Sequence, residues 1–134
     1  YLGTGSDDVK VTTEANFDAT VGMGGKFDQV YGFTSGDDDI IFTGGGFTGI
    51  ANTDTVTQAT TGNANNTLIS MNYNGTAAAG HANQRFLYDT STGQLWFDQD
   101  GSGVAAKILI AEIYSDTAGS TPVTALAAGD IEIV

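Results

Sequence analysis

Three groups of carboxylates are the residues of this chain best suited to do chemistry. They are Asp7 and Asp8 in GTGSDDVKV, Asp37, Asp38 and Asp39 in FTSGDDDII, and Asp98 with Asp100 in FDQDGSG. Calcium takes roughly 6 to 8 oxygen ligands from carboxylates, Asn side chains and backbone carbonyls, and Gly lets the backbone curl its carbonyls towards the ion. Gly/Asp turns supply both kinds of ligand. The alternative for any single cluster is an ordinary Asp-Gly turn joining two strands. Three adjacent carboxylates at 37–39 favour the ion, because like charges at that separation repel unless a cation neutralises them.

The first two clusters share a grammar. Aligning Val9 with Ile40 places Gly5 over Gly36, Asp7 over Asp38 and Asp8 over Asp39, giving G-x-D-D-[VI] in both. MGGKFDQVY carries a weaker copy, with Asp28 two residues before Val30, and GNANNTL a possible fourth with Asn66 and Leu68. The Asp98/Asp100 loop resembles the first half of an EF-hand loop. However, Leu109 stands where the twelfth-position Glu belongs, and a strand precedes the loop, so a calcium loop on a hairpin is expected instead.

Other chemistry finds little support. His81 is the only imidazole and the chain has no Cys, so no zinc site or Cys–His nucleophile pair can be assembled, and His81 reads as an ordinary loop residue. No Ser stands in a nucleophile-elbow context and there is no H-E-x-x-H. The Gly-rich stretches GTGSDD and TGGGF lead into no helix bearing a Lys, and their carboxylates repel phosphate. A non-enzymatic chain is expected; a glycan-acting β-domain using Asp pairs is the weakest of the three readings weighed here.

The elements that must position these residues are strands. The 134 residues make one domain, and 19 Gly with abundant Thr describe a β-rich chain with many tight turns. Of the 16 acidic side chains, 13 are Asp, which favours turns over helices, against 4 basic ones. The net charge of -12 repels nucleic-acid backbones and anionic lipid surfaces, leaving cations as the natural partners. No run approaches the roughly 18 apolar residues of a membrane span.

Residues 1–43 read as repeat-like turns and short strands at 9–13, 29–33 and 39–43, and residues 44–83 as a loop-rich β-segment with a strand at 67–73. Residues 84–134 open with the clearest hairpin, strands 84–89 and 94–98 around the turn Thr90–Gly93. A strand at 106–114 follows, and the alternating end Gly129–Val134 reads as an edge strand. No helix is required, apart from a single turn allowed at 124–128.

These residues resemble the RTX (repeats-in-toxin) family of calcium-binding proteins, whose nonapeptide is G-G-x-G-x-D-x-U-x with U a large apolar residue. LGTGSDDVK keeps Gly3, Gly5, Asp7 and Val9; FTSGDDDII keeps Gly36, Asp38 and Ile40; MGGKFDQVY keeps Gly24, Asp28 and Val30. FDQVYGFTSGDDDIIF looks like the close of a repeat array, and RFLYDTSTGQLWFDQDGSG is similar to a hairpin common in the family's C-terminal regions. The likeness spans most of the chain except residues 44–66.

The resemblance implies an all-β fold: degenerate or terminal parallel β-roll turns packed on an antiparallel β-region with a C-terminal hairpin and edge strand. Spacings of 21 and 10 residues between Asp7, Asp28 and Asp38 depart from the family's regular array, so a long regular roll is not expected. It also implies a secreted bacterial protein exported by the type I secretion apparatus. The export signal would be the acidic-apolar end Asp130–Val134, matching a start, YLGTGSDDVK, with neither basic leader nor apolar core. Tyr1 has no initiator Met before it, so an upstream passenger of unknown identity is expected.

The leading expectation is therefore a calcium-binding domain that folds on meeting calcium outside the cell. Asp7, Asp38, Asp98 and Asp100 are the first candidate ligands, with Asp8, Asp28, Asp37 and Asp39 behind them. The alternative is a calcium-dependent self-assembly module of a surface layer, extracellular filament or adhesin, forming a homo-oligomer or lattice through exposed strand edges.

Overall fold

The computed structural model describes residues 1–12, 27–58, 67–73 and 79–134, with residues 58 and 67–73 given by their backbone. The fold is all-β. Its strands are β1 (Asp8–Val11), β2 (Asp28–Tyr31), β3 (Asp39–Phe42), β4 (Val56–Gln58), β5 (Thr67–Tyr73), β6 (Phe86–Asp89), β7 (Gln94–Phe97), β8 (Ile108–Tyr114) and β9 (Ile131–Ile133). Short 3-10 turns at Gly44–Gly46 and Ala128–Asp130 are the helical elements among the described residues.

The strands form two sheets. β1, β3 and β9 make a three-stranded parallel sheet in that order. The second sheet runs β2-β8-β7-β6-β5-β4; its centre, β6-β7-β8, is antiparallel, while β2 joins β8 in parallel and β4, β5 and β6 are mutually parallel. From β1 the chain crosses to β2 in the second sheet and returns to β3 beside β1.

The register explains the shared grammar of the first two clusters. Val9 lies beside Ile40 and Asp8 beside Asp39, the pairing the aligned motifs require. Ile40 in turn lies beside Ile131, and Phe42 beside Ile133. The residues Gly129-Asp130-Ile131 thus form a third layer of the same stack, built from the far end of the sequence. The sequence expectation of an edge strand holds for β9, but the residue before it also has a place in the turn stack. Asp28 behaves differently: β2 belongs to the other sheet, with Asp28 beside Ala111. The weak third motif is therefore a strand of the opposite wall, not a third layer. The possible fourth copy at Asn66 lies outside the described residues.

Period-two alternation puts Val11, Ile40, Phe42, Ile131 and Ile133 of the first sheet against Val30, Phe86, Tyr88, Phe97 and Ile113 of the second in one buried core, which Ile110 joins across the register shift between β7 and β8. Phe42, Phe47, Phe86 and Phe97 link the sheets through ring contacts with centroids 4.7–5.8 Å apart. The second sheet also buries its other face at the centre, where Leu87, Trp96 and Leu109 pack with Ala79 and Phe27. That is why β6 and β7 read as nearly continuous apolar runs. The hairpin turn is closed by Gly93 N donating to Asp89 O at 2.8 Å and by Asp89 Oδ1 accepting from Ser91 N.

Candidate functional site

Carboxylates occupy two distinct settings. In the turn stack, each layer closes on its own Asp. Gly3 N donates to Asp7 Oδ2 at 2.9 Å, Thr34 N to Asp38 Oδ2 at 2.8 Å and Ala127 N to Asp130 Oδ2 at 2.7 Å. The second oxygen then ties the layers together. Asp38 Oδ1 accepts from Asp7 N at 2.9 Å, and Asp130 Oδ1 accepts from Gly36 N at 2.9 Å. Ser35 Oγ adds a bond of 2.6 Å to Asp130 Oδ2. Gly5 and Gly36 sit at φ +115° and +87°, a left-handed backbone that non-Gly residues rarely adopt, and this allows the tight reversal before the Asp.

Asp38 and Asp130 are 1% and 2% exposed, so these bonds decide their role: backbone amides answer both carboxylates inside the protein. Asp130 was read from sequence only as part of a terminal strand and export signal. The signal that locates it structurally is Gly-Asp-Ile before an alternating strand, two residues shorter than the G-x-D-D-[VI] of the first two layers.

Around this stack the remaining acids are more open. Asp8 and Asp37 are exposed and Asp39 is half-buried. Burial raises the Asp39 carboxyl above its ordinary range, and the neighbouring charges of Asp8, Asp130 and Asp38 raise it further. An open cleft of about 480 Å³ runs between β9 and residues 54–56, with Asp39, Asp54 and Glu132 in its walls. One Asp54 oxygen is taken by Ala51 N at 2.8 Å. Asp28 stands apart from all of these, exposed at the start of β2.

The hairpin loop is the second setting. Asp98 follows β7 and is 5% exposed; the Asp100 amide donates to its Oδ1 at a long 3.2 Å, and the Gly101 amide also bonds the carboxylate. Asp100 Oδ2 accepts from Val104 N and Ala105 N at 2.9 and 3.1 Å, closing the loop over itself. Its other oxygen, Oδ1, is buried and has no hydrogen-bond partner. Burial raises the Asp98 carboxyl; the Asp100 amide opposes this and the Asp100 carboxylate adds to it. Asp100 is held low, first by the Ala105 amide, with the Asp98 side chain, Val104 amide and Arg85 charge acting in the same direction. The two carboxylates are thus pushed apart, Asp98 upward and Asp100 downward, as close acid pairs are.

Gly101 makes this loop possible. At φ +61°, a Cβ there would stand 2.4 and 2.6 Å from the carbonyl oxygens of His81 and Ala82. The same His81 carbonyl accepts from Gln84 N and Ser102 N, so segment 81–84 is fastened under the loop while the His81 side chain is exposed.

The donor set fits a hard cation. A buried carboxylate oxygen without a hydrogen-bond partner, beside a second buried carboxylate in a Gly-rich loop, is a setting that calcium chemistry uses. Among the described residues no three acidic or imidazole side chains gather closely enough to hold an ion alone. An ion at Asp98 and Asp100 would therefore complete its shell with backbone carbonyls and water. Comparison with protein-family models, with curated proteins and with solved structures yields no match to this chain.

Proposed function

We propose that this chain is a non-enzymatic calcium-binding domain of RTX type, part of a bacterial protein exported by the type I secretion apparatus, in which calcium completes the fold outside the cell. The observation that carries the reading is the buried, unpartnered Oδ1 of Asp100 beside the buried carboxyl of Asp98. Two carboxylates in contact need a proton or a cation between them, and near neutral pH a cation is the more available. Asp98 and Asp100 would hold calcium, which supplies the positive charge that the loop lacks.

The stacked G-x-D turns support the RTX likeness through their parallel register, as a short and irregular roll closed by β9. In that reading Asp38 and Asp130 serve the stack as backbone acceptors, while Asp7, Asp8, Asp37 and Asp39 are acids from which a further ion could draw. At cytosolic calcium the hairpin loop carries unbalanced charge, which keeps the chain loose for export. A ligand at about 100 times its Kd adds about 2.7 kcal/mol, a large share of the 5–15 kcal/mol typical of a domain.

The test is circular dichroism of the chain in chelator, followed by calcium titration with light scattering on the same samples. A gain of β-signal or of thermal midpoint at millimolar calcium is expected from wild type and not from the Asp98→Asn/Asp100→Asn double variant. Growth of particle size in step with calcium would move the reading to the self-assembly module. Full β-structure in chelator and no response to calcium would leave the clusters as turns and overturn the proposal.

A further inference from the structure

Arg85 is a basic side chain that the fold carries to the acidic hairpin loop. It stands one step beyond the Phe86–Phe97 pair of β6 and β7, and its carbonyl accepts from Asp98 N at 2.8 Å, so the ladder continues and sets Arg85 opposite Asp98. Residues opposite one another in an antiparallel pair are close enough for their charges to interact.

The half-buried guanidinium has a seat of its own. Nη1 donates to Ala82 O, the carbonyl that a Cβ at Gly101 would meet at 2.6 Å. On another side a Cβ at Gly49 would stand 3.5 and 3.6 Å from Arg85 Nε and Nη2, and 2.8 Å from Gln99 O. The bare backbone at 49 thus closes on the arginine and on the loop together. The Arg85 charge acts on Asp100 in the same direction as the Ala105 amide, favouring the ionised carboxylate. One guanidinium does not answer two carboxylates, however. Asp100 Oδ1 is buried without a hydrogen-bond partner, and the Asp100 carboxylate still repels that of Asp98.

We propose, building on the calcium reading of this loop, that Arg85 is an internal competitor for the cation place at Asp98 and Asp100, partly neutralising the empty loop and setting how much calcium is needed to fill it. A cation entering there gains the attraction of two carboxylates and meets the repulsion of the guanidinium, both in proportion to its charge. A monovalent ion brings no more charge than Arg85 already supplies, whereas calcium brings twice as much and accepts several oxygen ligands at once, so the loop selects for divalent ions. Arg85 cannot give way by losing its proton, because a guanidinium stays charged below about pH 12. The competition is therefore a fixed property of the fold.

The test is calorimetric calcium titration of wild type, Arg85→Gln and Arg85→Lys. Gln keeps an N–H donor for Ala82 O without the charge, and Lys keeps the charge without the planar fork. Arg85→Gln is expected to lower the calcium Kd roughly tenfold, and Arg85→Lys to leave it within about threefold of wild type. In chelator, a cycle of Arg85→Gln, Asp100→Asn and the two combined should show Arg85→Gln lowering the thermal midpoint of wild type but not that of Asp100→Asn, as a charge pair requires. A guanidinium that only braces the loop gives the opposite sign: Arg85→Gln would then bind calcium more weakly or no differently, and its loss in chelator would be the same with and without the Asp100 carboxylate. Either result would overturn the proposal while leaving calcium binding by wild type intact. No calcium heat from wild type itself would remove the calcium reading, and the competitor with it.

Discussion

Asp38 and Asp98 are both buried carboxylates at the margin of a strand, and they differ in what answers them. Asp38 accepts from Thr34 N and Asp7 N at 2.8 and 2.9 Å, so its burial is matched by backbone donors from two layers of the stack. Asp98 accepts from the Asp100 amide at a long 3.2 Å and from the Gly101 amide, and it also has a second carboxylate against it. The first arrangement is complete within the protein and ties the layers together; the second leaves negative charge and an oxygen without a partner. Density of Asp in a sequence therefore does not count ligands. A carboxylate met by amides has its charge answered within the protein, whereas one set against another carboxylate meets repulsion as well.

The largest effect should come from breaking the complete arrangement. Asp38→Ala leaves two amides without their acceptor, each worth about 1–3 kcal/mol when buried, so a loss of about 3 kcal/mol is expected in urea unfolding. The variant should still gain stability from calcium. An Asp38→Ala chain as stable as wild type would show that water or another group serves those amides and that the stack does not depend on its Asp ladder.

Next comes the incomplete arrangement. Asp98→Asn with Asp100→Asn should abolish the calcium increment, about 2.7 kcal/mol at 100 times Kd, while leaving stability in chelator equal or higher because the carboxylate contact is gone. Isothermal titration with calcium reads this directly. Undiminished binding heat in the double variant would move the ion elsewhere, with the cleft of Asp39, Asp54 and Glu132 the first place to look.

A smaller effect is the pH dependence in chelator. The Asp98 carboxyl is raised above its ordinary 3.8, so the folded state holds its proton more tightly than the unfolded chain does. Stability from this group is present below 3.8 and falls as pH rises through the raised value, the reverse of the usual carboxylate. Asp89 works the other way. Burial would raise it, but hydrogen bonds from Ser91 and Thr92 outweigh that and lower it, so its contribution is present above 3.8 and lost as pH falls through the lowered value. Thermal midpoints measured in chelator from pH 4 upward should decline less in Asp98→Asn than in wild type; parallel curves would remove Asp98 as the source. The smallest effect is expected from Asp28→Asn, within about 0.5 kcal/mol and with unchanged calcium binding, because Asp28 is exposed and apart from both settings.

Much of the fold is legible along the chain because it is local. The turn Thr90–Gly93, the strands on either side and the strand Thr67–Tyr73 follow from Gly placement and apolar alternation within a few residues. The alignment of the two G-x-D-D-[VI] motifs coincides with the register of β1 on β3, but that these strands pair is a finding of the structure. For Asp28 the local likeness to the motif carries no information about which sheet its strand joins, and the structure puts β2 beside β8. Asp130 was hidden because its partners, Ser35 and Gly36, lie more than 90 residues away.

By itself the sequence determined composition-level facts with local causes: an all-β chain, Asp/Gly turns, a strong excess of acidic side chains and two motifs of shared grammar. Only the tertiary structure decided which carboxylates are answered. Whether an Asp finds two amides or another Asp depends on which distant segments are brought against it, and chain spacing does not encode that contact. The same long-range packing put β9 into the first sheet, closed one end of the body with β4, and left the end at β1 and β2 without a partner strand among the described residues.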